Sequence, residues 1–241
     1  MPGLSQARLE YQVETLVTNG MQPQAQAVIA GVGYDPAGLQ GGAALLTAMR
    51  QNRARRQELL AERKKATIAE RQACGAANQK VVSLSETART LFGNDATVLT
   101  TLGLQTRYRM VETEDGAGQV RRAVRLSRST AERLKRWRLL VDNAQALDEE
   151  LAAMLGAAGW PAERLAAAGE LVQAYATADI AQQAAVQAYQ IASTQFKTSL
   201  EALRVWYSLA SRLIKIAIRD LDPAGQDQLW ELLGWTGSPT G

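Results

Sequence analysis

The sequence predicts an all-α protein, a tandem duplicated helical bundle with long antiparallel helices and one inserted β-hairpin at about 106–126. Two homologous halves would pack with pseudo-two-fold symmetry. Apolar residues make up 46% of the chain and aromatic residues only 5%, so alanine supplies much of the apolar share. Alanine favours closely packed helices over a β-sandwich. Six prolines and nineteen glycines leave long stretches without a helix breaker.

A repeated pattern indicates the duplication. The phrase Gly33-Tyr34-Asp35-Pro36 matches Gly159-Trp160-Pro161 at an offset of about 126, and residues 99–104 resemble residues 230–235. Apolar positions coincide at this offset between the two phrases, for example Leu39 with Leu165, Leu45 with Leu171, Cys74 with Leu200 and Val81 with Tyr207. The predicted domains are a first helical repeat (1–104), a basic hairpin linker (105–128), a second repeat (129–235) and a disordered tail (236–241).

A helix of about 25 residues is expected at the start of each half. The first covers residues 5–29 and is interrupted near Gly20 and Pro23. The second begins at Ser129, where Ser-Thr-Ala-Glu is a capping box, and continues as one apolar stripe to Leu155.

A long segment follows in each half, at about 36–92 and 161–221. Pro36 and Pro161 suit the first turn of a helix, where the missing N–H is not needed. The apolar stripe changes phase midway, which is compatible with a helical hairpin or with one helix that changes packing partner. No turn residues mark the phase change, so the pattern favours continuous helices.

The linker shows an alternating pattern around Asp115-Gly116, which is typical of a β-hairpin. A five-residue turn would put its apolar residues on one face and its arginines on the other. The predicted apolar face consists of Tyr108, Met110, Val120, Val124 and Leu126, and the predicted basic face consists of Arg107, Arg109, Arg121 and Arg125.

Charge is concentrated in the same region. Residues 105–140 carry ten basic and four acidic side chains, whereas residues 141–241 carry six basic and twelve acidic ones. The basic surface, which Arg128, Arg133, Lys135, Arg136 and Arg138 extend, could contact nucleic acid or an acidic partner. No recognition-helix, zinc or RNP-type motif accompanies it, so the sequence favours a surface that is solvated or docks on the acidic second half of the protein or of a neighbouring copy. A second basic run, from Arg50 to Lys65, is typical of a solvated helix face.

The composition disfavours catalysis. The chain has no histidine, which removes the commonest general base and metal ligand, and its single cysteine, Cys74, permits no internal disulfide. No metal or cofactor site is expected. No apolar run could span a membrane and no signal peptide is visible, so we expect a cytoplasmic protein.

These observations favour a non-catalytic scaffold or interaction protein that acts through protein–protein contact or self-association. A nucleic-acid-binding protein that uses the arginine-rich hairpin is the first alternative. A small-molecule carrier or histidine-independent enzyme is the second, and it would need a cavity lined by Tyr175, Tyr189 and Tyr207. The candidate partner-binding residues are Arg107, Arg109, Arg121, Arg125, Trp160 and Trp235. For the two tryptophans the pattern favours a structural role, in which they fill the ends of the helix layers, and partner binding is the alternative.

Overall fold

The computed structural model describes residues 5–104, 108–112, 119–123 and 129–235. The α-helices in chain order are α1 (Gln6–Gly20), α2 (Pro23–Ile29), α3 (Pro36–Leu91), α4 (Ala96–Thr101), α5 (Thr130–Gln145), α6 (Glu149–Ala157), α7 (Ala162–Arg219) and α8 (Pro223–Leu232), and a 3-10 turn covers Ala30–Val32. None of the described helices is long and apolar enough to cross a membrane. The predicted disordered tail, 236–241, lies outside the described residues.

The two long segments are continuous helices, as the absence of turn residues predicted. Helix α3 has 56 residues and α7 has 58. The predicted break after α1 is present between Gly20 and Pro23. The single helix predicted from Ser129 to Leu155 is wrong, because α5 ends at Gln145 and α6 starts after Asp148. The Asp148 carboxylate accepts the Leu151 backbone N–H at 2.9 Å and so starts a new helix.

The described chain forms two compact units, which do not coincide with the two halves of the sequence. Unit 1 comprises Met1–Glu62 and Val186–Gly241, and unit 2 comprises Arg63–Ala185. Each long helix therefore contributes one part of its length to unit 1 and the other part to unit 2. In unit 1 the two long-helix segments run antiparallel, because Arg56 contacts Phe196 while the earlier Gly42 meets the later Trp206.

The core of unit 1 joins α1, α2 and the first part of α3 to the last part of α7 and α8. Its largest fully buried side chains are Leu9, Leu16, Ile29, Leu39, Met49, Leu203 and Ile214. The core of unit 2 joins α5, α6 and the first part of α7 to the last part of α3 and α4. Its largest fully buried side chains are Leu84, Leu102, Leu155, Trp160 and Tyr175.

The two halves were expected to pack against each other with pseudo-two-fold symmetry. Each of the two cores joins residues of both halves, since the front of one half packs with the back of the other. The bounds of the two helical repeats, 1–104 and 129–235, stay a prediction. The periodicity of a helix shows which of its faces is apolar, and it does not show which helix covers that face. The sequence repeats themselves stay a prediction.

The predicted fold class needs correction in its inserted β-hairpin. The structure is an assembly of long helices, and it does not support the hairpin in the form expected at about 106–126. In this region only two short backbone segments are described, β1 (Tyr108–Glu112) and β2 (Gln119–Ala123), paired with Met110 opposite Arg121. The predicted five-residue turn requires Met110 opposite Arg122. The pairing is one residue out of that register, and such a shift exchanges the two faces of a strand. The predicted register, on which the separation of an arginine face from an apolar face depended, is therefore wrong, and residues 107 and 124–126 of these faces lie outside the described residues.

The element order recurs between the halves. In each half, two helices lead to a glycine with positive φ and a buried aromatic residue, and a long helix and a short helix then lead to a second such glycine. The first glycines are Gly33 and Gly159, and the second are Gly103 and Gly234. This agreement supports the proposed duplication at the level of local structure.

Candidate interaction surface

The arginines predicted to bind a partner are only partly described. Arg107 and Arg125 lie outside the described residues. Arg109 lies on β1 and Arg121 on β2, and they are not cross-strand partners, because Arg109 pairs with Arg122 and Arg121 with Met110. Their role in partner binding stays a prediction.

The two tryptophans predicted to bind a partner are core residues. Trp160 is 1% exposed in unit 2, and its indole N–H donates to the Thr87 hydroxyl at 3.2 Å. Trp235 is 7% exposed in unit 1, and its indole N–H donates to the Tyr207 hydroxyl at 3.3 Å. Burial leaves these indoles little surface for a partner, and their hydrogen bonds satisfy the polar edge that a buried tryptophan must pair.

Several basic side chains are used within their own unit. In unit 1, Arg53 Nη1 lies 2.6 Å from Glu10 Oε1 and Arg50 Nη2 lies 2.8 Å from Glu14 Oε2. The Arg50 guanidinium donates a hydrogen bond to Glu14 and holds the pKa of that carboxyl below its usual value. Arg56 lies over the Phe196 ring at 5.3 Å. The run from Arg50 therefore helps to attach α3 to α1 and α7, in addition to forming a solvated face.

The basic end of α5 makes similar contacts in unit 2. Arg133 donates to the Tyr175 hydroxyl and its guanidinium lies 5.5 Å from the Trp137 ring centre. Arg138 donates to the Gln173 side-chain oxygen at 3.1 Å. These contacts stabilise the pairing of α5 with α7 and reduce the number of charges on α5 that are free to face a partner.

The tyrosines proposed to line a carrier cavity lie in different cores. Tyr175 belongs to the core of unit 2, whereas Tyr207 belongs to that of unit 1. Burial raises the pKa of the Tyr175 hydroxyl and also that of the Tyr207 hydroxyl. Burial therefore moves both groups further from ionising near neutral pH than an exposed tyrosine. In the described part of the chain, no group of three or more acidic or cysteine residues is placed to hold a metal ion.

An exposed apolar stripe on α7 is the feature of the described surface that most favours contact with another molecule. We call it the α7 stripe, and it consists of Thr198, Ala202, Val205, Leu209 and Ile216. Spacings of four, three, four and seven residues put all five on one face of a helix. Val205 is 60% exposed, Leu209 52% and Ile216 51%.

An open groove runs beside the stripe. It is lined by Thr198, Glu201, Ala202, Val205 and Trp206, and its surface is almost wholly apolar. The Trp206 ring forms one edge of the groove. It is held in place by Tyr34, because the two rings pack edge-on with their centres 5.9 Å apart. Gly42 of α3 permits this packing, since a Cβ at that position would overlap the indole. The groove therefore has a rigid aromatic side.

The corresponding face of α3 is polar. At the offset of 126 residues, the stripe positions correspond to Gln72, Ala76, Gln79, Ser83 and Thr90. Both long helices pack in a core on their opposite faces, so an apolar outer face is not needed for a helix in this fold. Large exposed apolar side chains are costly in water when they cluster, and such clusters commonly mark interaction sites.

The stripe was not found by sequence reasoning, although the sequence carries a signal for it. The pattern that was recognised on α7 included Phe196, Leu203, Tyr207, Ala210 and Ile214, and these residues are buried or nearly buried, as predicted. The stripe residues form a second series on the same helix, about 140° from the first around its axis. One core-facing series accounts for the packing of α7, so the second series should have indicated a further contact.

Comparison with known proteins gives no family for this chain, since no family, no curated protein and no solved structure matches it.

Proposed function

We propose that this protein is a non-catalytic helical interaction protein that acts through protein–protein association, and that the α7 stripe is its contact surface. The observation that carries the proposal is the pair of Val205 and Leu209, both more than half exposed, where the repeat-related positions of α3 are Gln79 and Ser83. A polar residue suffices for the fold at these positions.

Chemistry and charge support the same proposal. The chain has no histidine, and burial raises the pKa of the Tyr175 and Tyr207 hydroxyls, which makes them poorer general bases than exposed tyrosines. Arg50, Arg53 and Arg133 are engaged within their units, which weakens the case for a phosphate-binding surface there. A reducing compartment such as the cytoplasm is part of the proposal, supported by the only cysteine of the sequence, which is a free thiol.

The test replaces stripe residues by their α3 counterparts. The double variant Val205→Gln, Leu209→Ser should keep the helical circular dichroism of the wild type, because both side chains are exposed. It should lose association, whether with itself or with a protein that copurifies under native conditions. Val82→Gln is the matched control, since Val82 is an exposed aliphatic residue (43%) of α3 outside the stripe. The proposal fails if the double variant associates as the wild type does, or if the wild type shows no association.

A further inference from the structure

We infer that the partner at the α7 stripe is a second copy of this chain, packed antiparallel along the same stripe of its α7. This inference rests on the function proposed above and names the partner of that surface. A two-fold contact is isologous, so one patch must be complementary to itself. The α7 stripe meets this requirement through the placement of its charges.

The charges lie near opposite ends of the stripe. Glu201 precedes Ala202 and Val205, and Arg212 lies between Leu209 and Ile216 on the stripe face. In an antiparallel pair with Val205 opposite Leu209 of the second copy, Ala202 faces Arg212 of that copy. Glu201 then lies next to the same guanidinium. The two-fold axis generates the ion pair twice.

A parallel, in-register pair lacks these ion pairs. Arg212 lies close to the stripe and would face Arg212 of the second copy, and like charges at such a position are destabilising. Glu201 lies at the edge of the face, on the far side of the contact from Glu201 of the second copy, and would gain no partner there. The pattern therefore favours the antiparallel arrangement.

Both Glu201 and Arg212 can form the proposed ion pair with a second copy. Glu201 Oε2 lies 3.7 Å from Arg204 Nη1 on the next turn, and the two side chains are 66% and 47% exposed. Exposed pairs of this kind contribute little to stability, so Glu201 can exchange Arg204 for Arg212 of the second copy at low cost. Arg212 itself is exposed.

The size of the stripe sets the expected affinity. A standard interface buries about 800 Å² on each partner, and three half-exposed aliphatic side chains with the flanking groove supply less than that. We therefore expect a reversible dimer with a dissociation constant on the order of 10–100 µM at low salt. The affinity should fall as ionic strength rises, because the ion pairs lie at the edge of the contact.

Charge reversal tests the arrangement. Glu201→Lys puts two positive charges together at each end of the antiparallel contact, and Arg212→Glu puts two negative charges together there. Each single variant should weaken dimerisation at least about tenfold in sedimentation velocity over about 5–500 µM protein. An equimolar mixture of the two variants should recover dimers, because every acidic group at the contact then faces a basic group of the other chain.

Glu86→Lys is the matched control, since Glu86 occupies the α3 position that corresponds to Arg212. It should leave the dissociation constant unchanged. Circular dichroism of every variant checks that the helices are retained.

Three results would overturn the inference. One is a wild-type chain that stays monomeric at about 500 µM, the top of the concentration range. Another is a dimer that neither single reversal weakens, and the third is a mixture that does not recover. If the chain alone is monomeric while a different copurifying protein is lost on Val205→Gln, Leu209→Ser, the second copy is excluded and the proposed function stands. If that double variant changes no association, the proposed function itself fails.

Discussion

Gly33 and Gly103 end helical segments in the same left-handed conformation, with φ of 86° and 72°, but their surroundings differ. A Cβ at Gly33 would meet nothing within 4 Å, whereas a Cβ at Gly103 would lie 2.7 Å from Leu139 Cδ2. For any residue other than glycine, the left-handed conformation costs about 1–2 kcal/mol. Only Gly103 adds a steric conflict to that conformational cost.

We therefore predict that Gly33→Ala lowers the free energy of unfolding by about 1 kcal/mol and Gly103→Ala by about 2–3 kcal/mol. Leu139 is 46% exposed and can move aside in part, which limits the second value. Urea denaturation followed by circular dichroism measures both. Equal losses for the two variants would show that the Leu139 contact is relieved without cost.

The residue scale also shows what a sequence can predict about a site. The pairing of Gly159 with Trp160 at a helix corner could be recognised, because a left-handed glycine and an adjacent large aromatic residue both leave a local signature. The corner position of Trp160 favoured a structural role, and both Trp160 and Trp235 are buried. Their residue type alone also fits an interface, and the helices that cover them are distant in sequence.

At the scale of elements, α6 shows how one side chain divides an apolar pattern into two helices. The spacing of Val141, Ala144, Leu147 and Leu151 continues without a gap, and it predicts a single helix through residue 148. Asp148 nevertheless adopts an extended backbone and accepts the Leu151 N–H, and two glutamates follow in the first turn of α6. Acidic groups at this position favour a helix start through the helix dipole.

We predict that Asp148→Ala lowers the free energy of unfolding by about 1 kcal/mol, the usual cost of losing an N-cap. Asp142→Ala is the matched control, because Asp142 is an exposed aspartate within α5 that caps no helix, and its loss should cost less than about 0.5 kcal/mol. Thermal and urea denaturation measure the two variants. Similar losses would contradict a capping role for Asp148.

The long helices α3 and α7 could be predicted because the sequence interrupts neither of them with a proline or a turn. Helices α3 and α7 contain no proline after their first turn, and no cluster of turn residues interrupts either phase change. The phase change itself has a structural cause. Each long helix is covered by different partners in its two parts, so the face that must be apolar rotates where the helix passes from one unit to the other.

At the scale of the whole molecule, the proposed repeat predicted that the two halves pack against each other, but it did not specify which parts of them share a core. Two repeats can each close on themselves or exchange the back of one for the back of the other, and both choices bury the same apolar faces. Leu39 and Leu165, for example, occupy matching positions in either arrangement. The exchange is visible only in which partners meet, as when Tyr34 of the first half packs on Trp206 of the second.

The exchange makes each half of the chain dependent on the other for folding. The front of the first half, with Leu9 and Leu16, is buried against Leu203 and Ile214 of the second half. The last part of α3, with Leu84, is buried against α5, α6 and the first part of α7. A fragment comprising residues 1–104 therefore exposes two half-cores, and helices without a packed apolar face are marginal in water.

We predict that fragments 1–104 and 129–241, prepared separately, lack a cooperative thermal transition, and that equimolar mixing restores both helical content and a single cooperative melt. Circular dichroism and light scattering of the fragments and of the 1:1 mixture measure this. The proposed duplication adds a second expected species. If the halves are repeats, two copies of one fragment can exchange in the same way and form a homodimer, which light scattering distinguishes from a monomer by mass. A monomeric fragment 1–104 that melts cooperatively on its own would contradict the exchanged arrangement, because the helices of the first half would then bury their apolar faces among themselves.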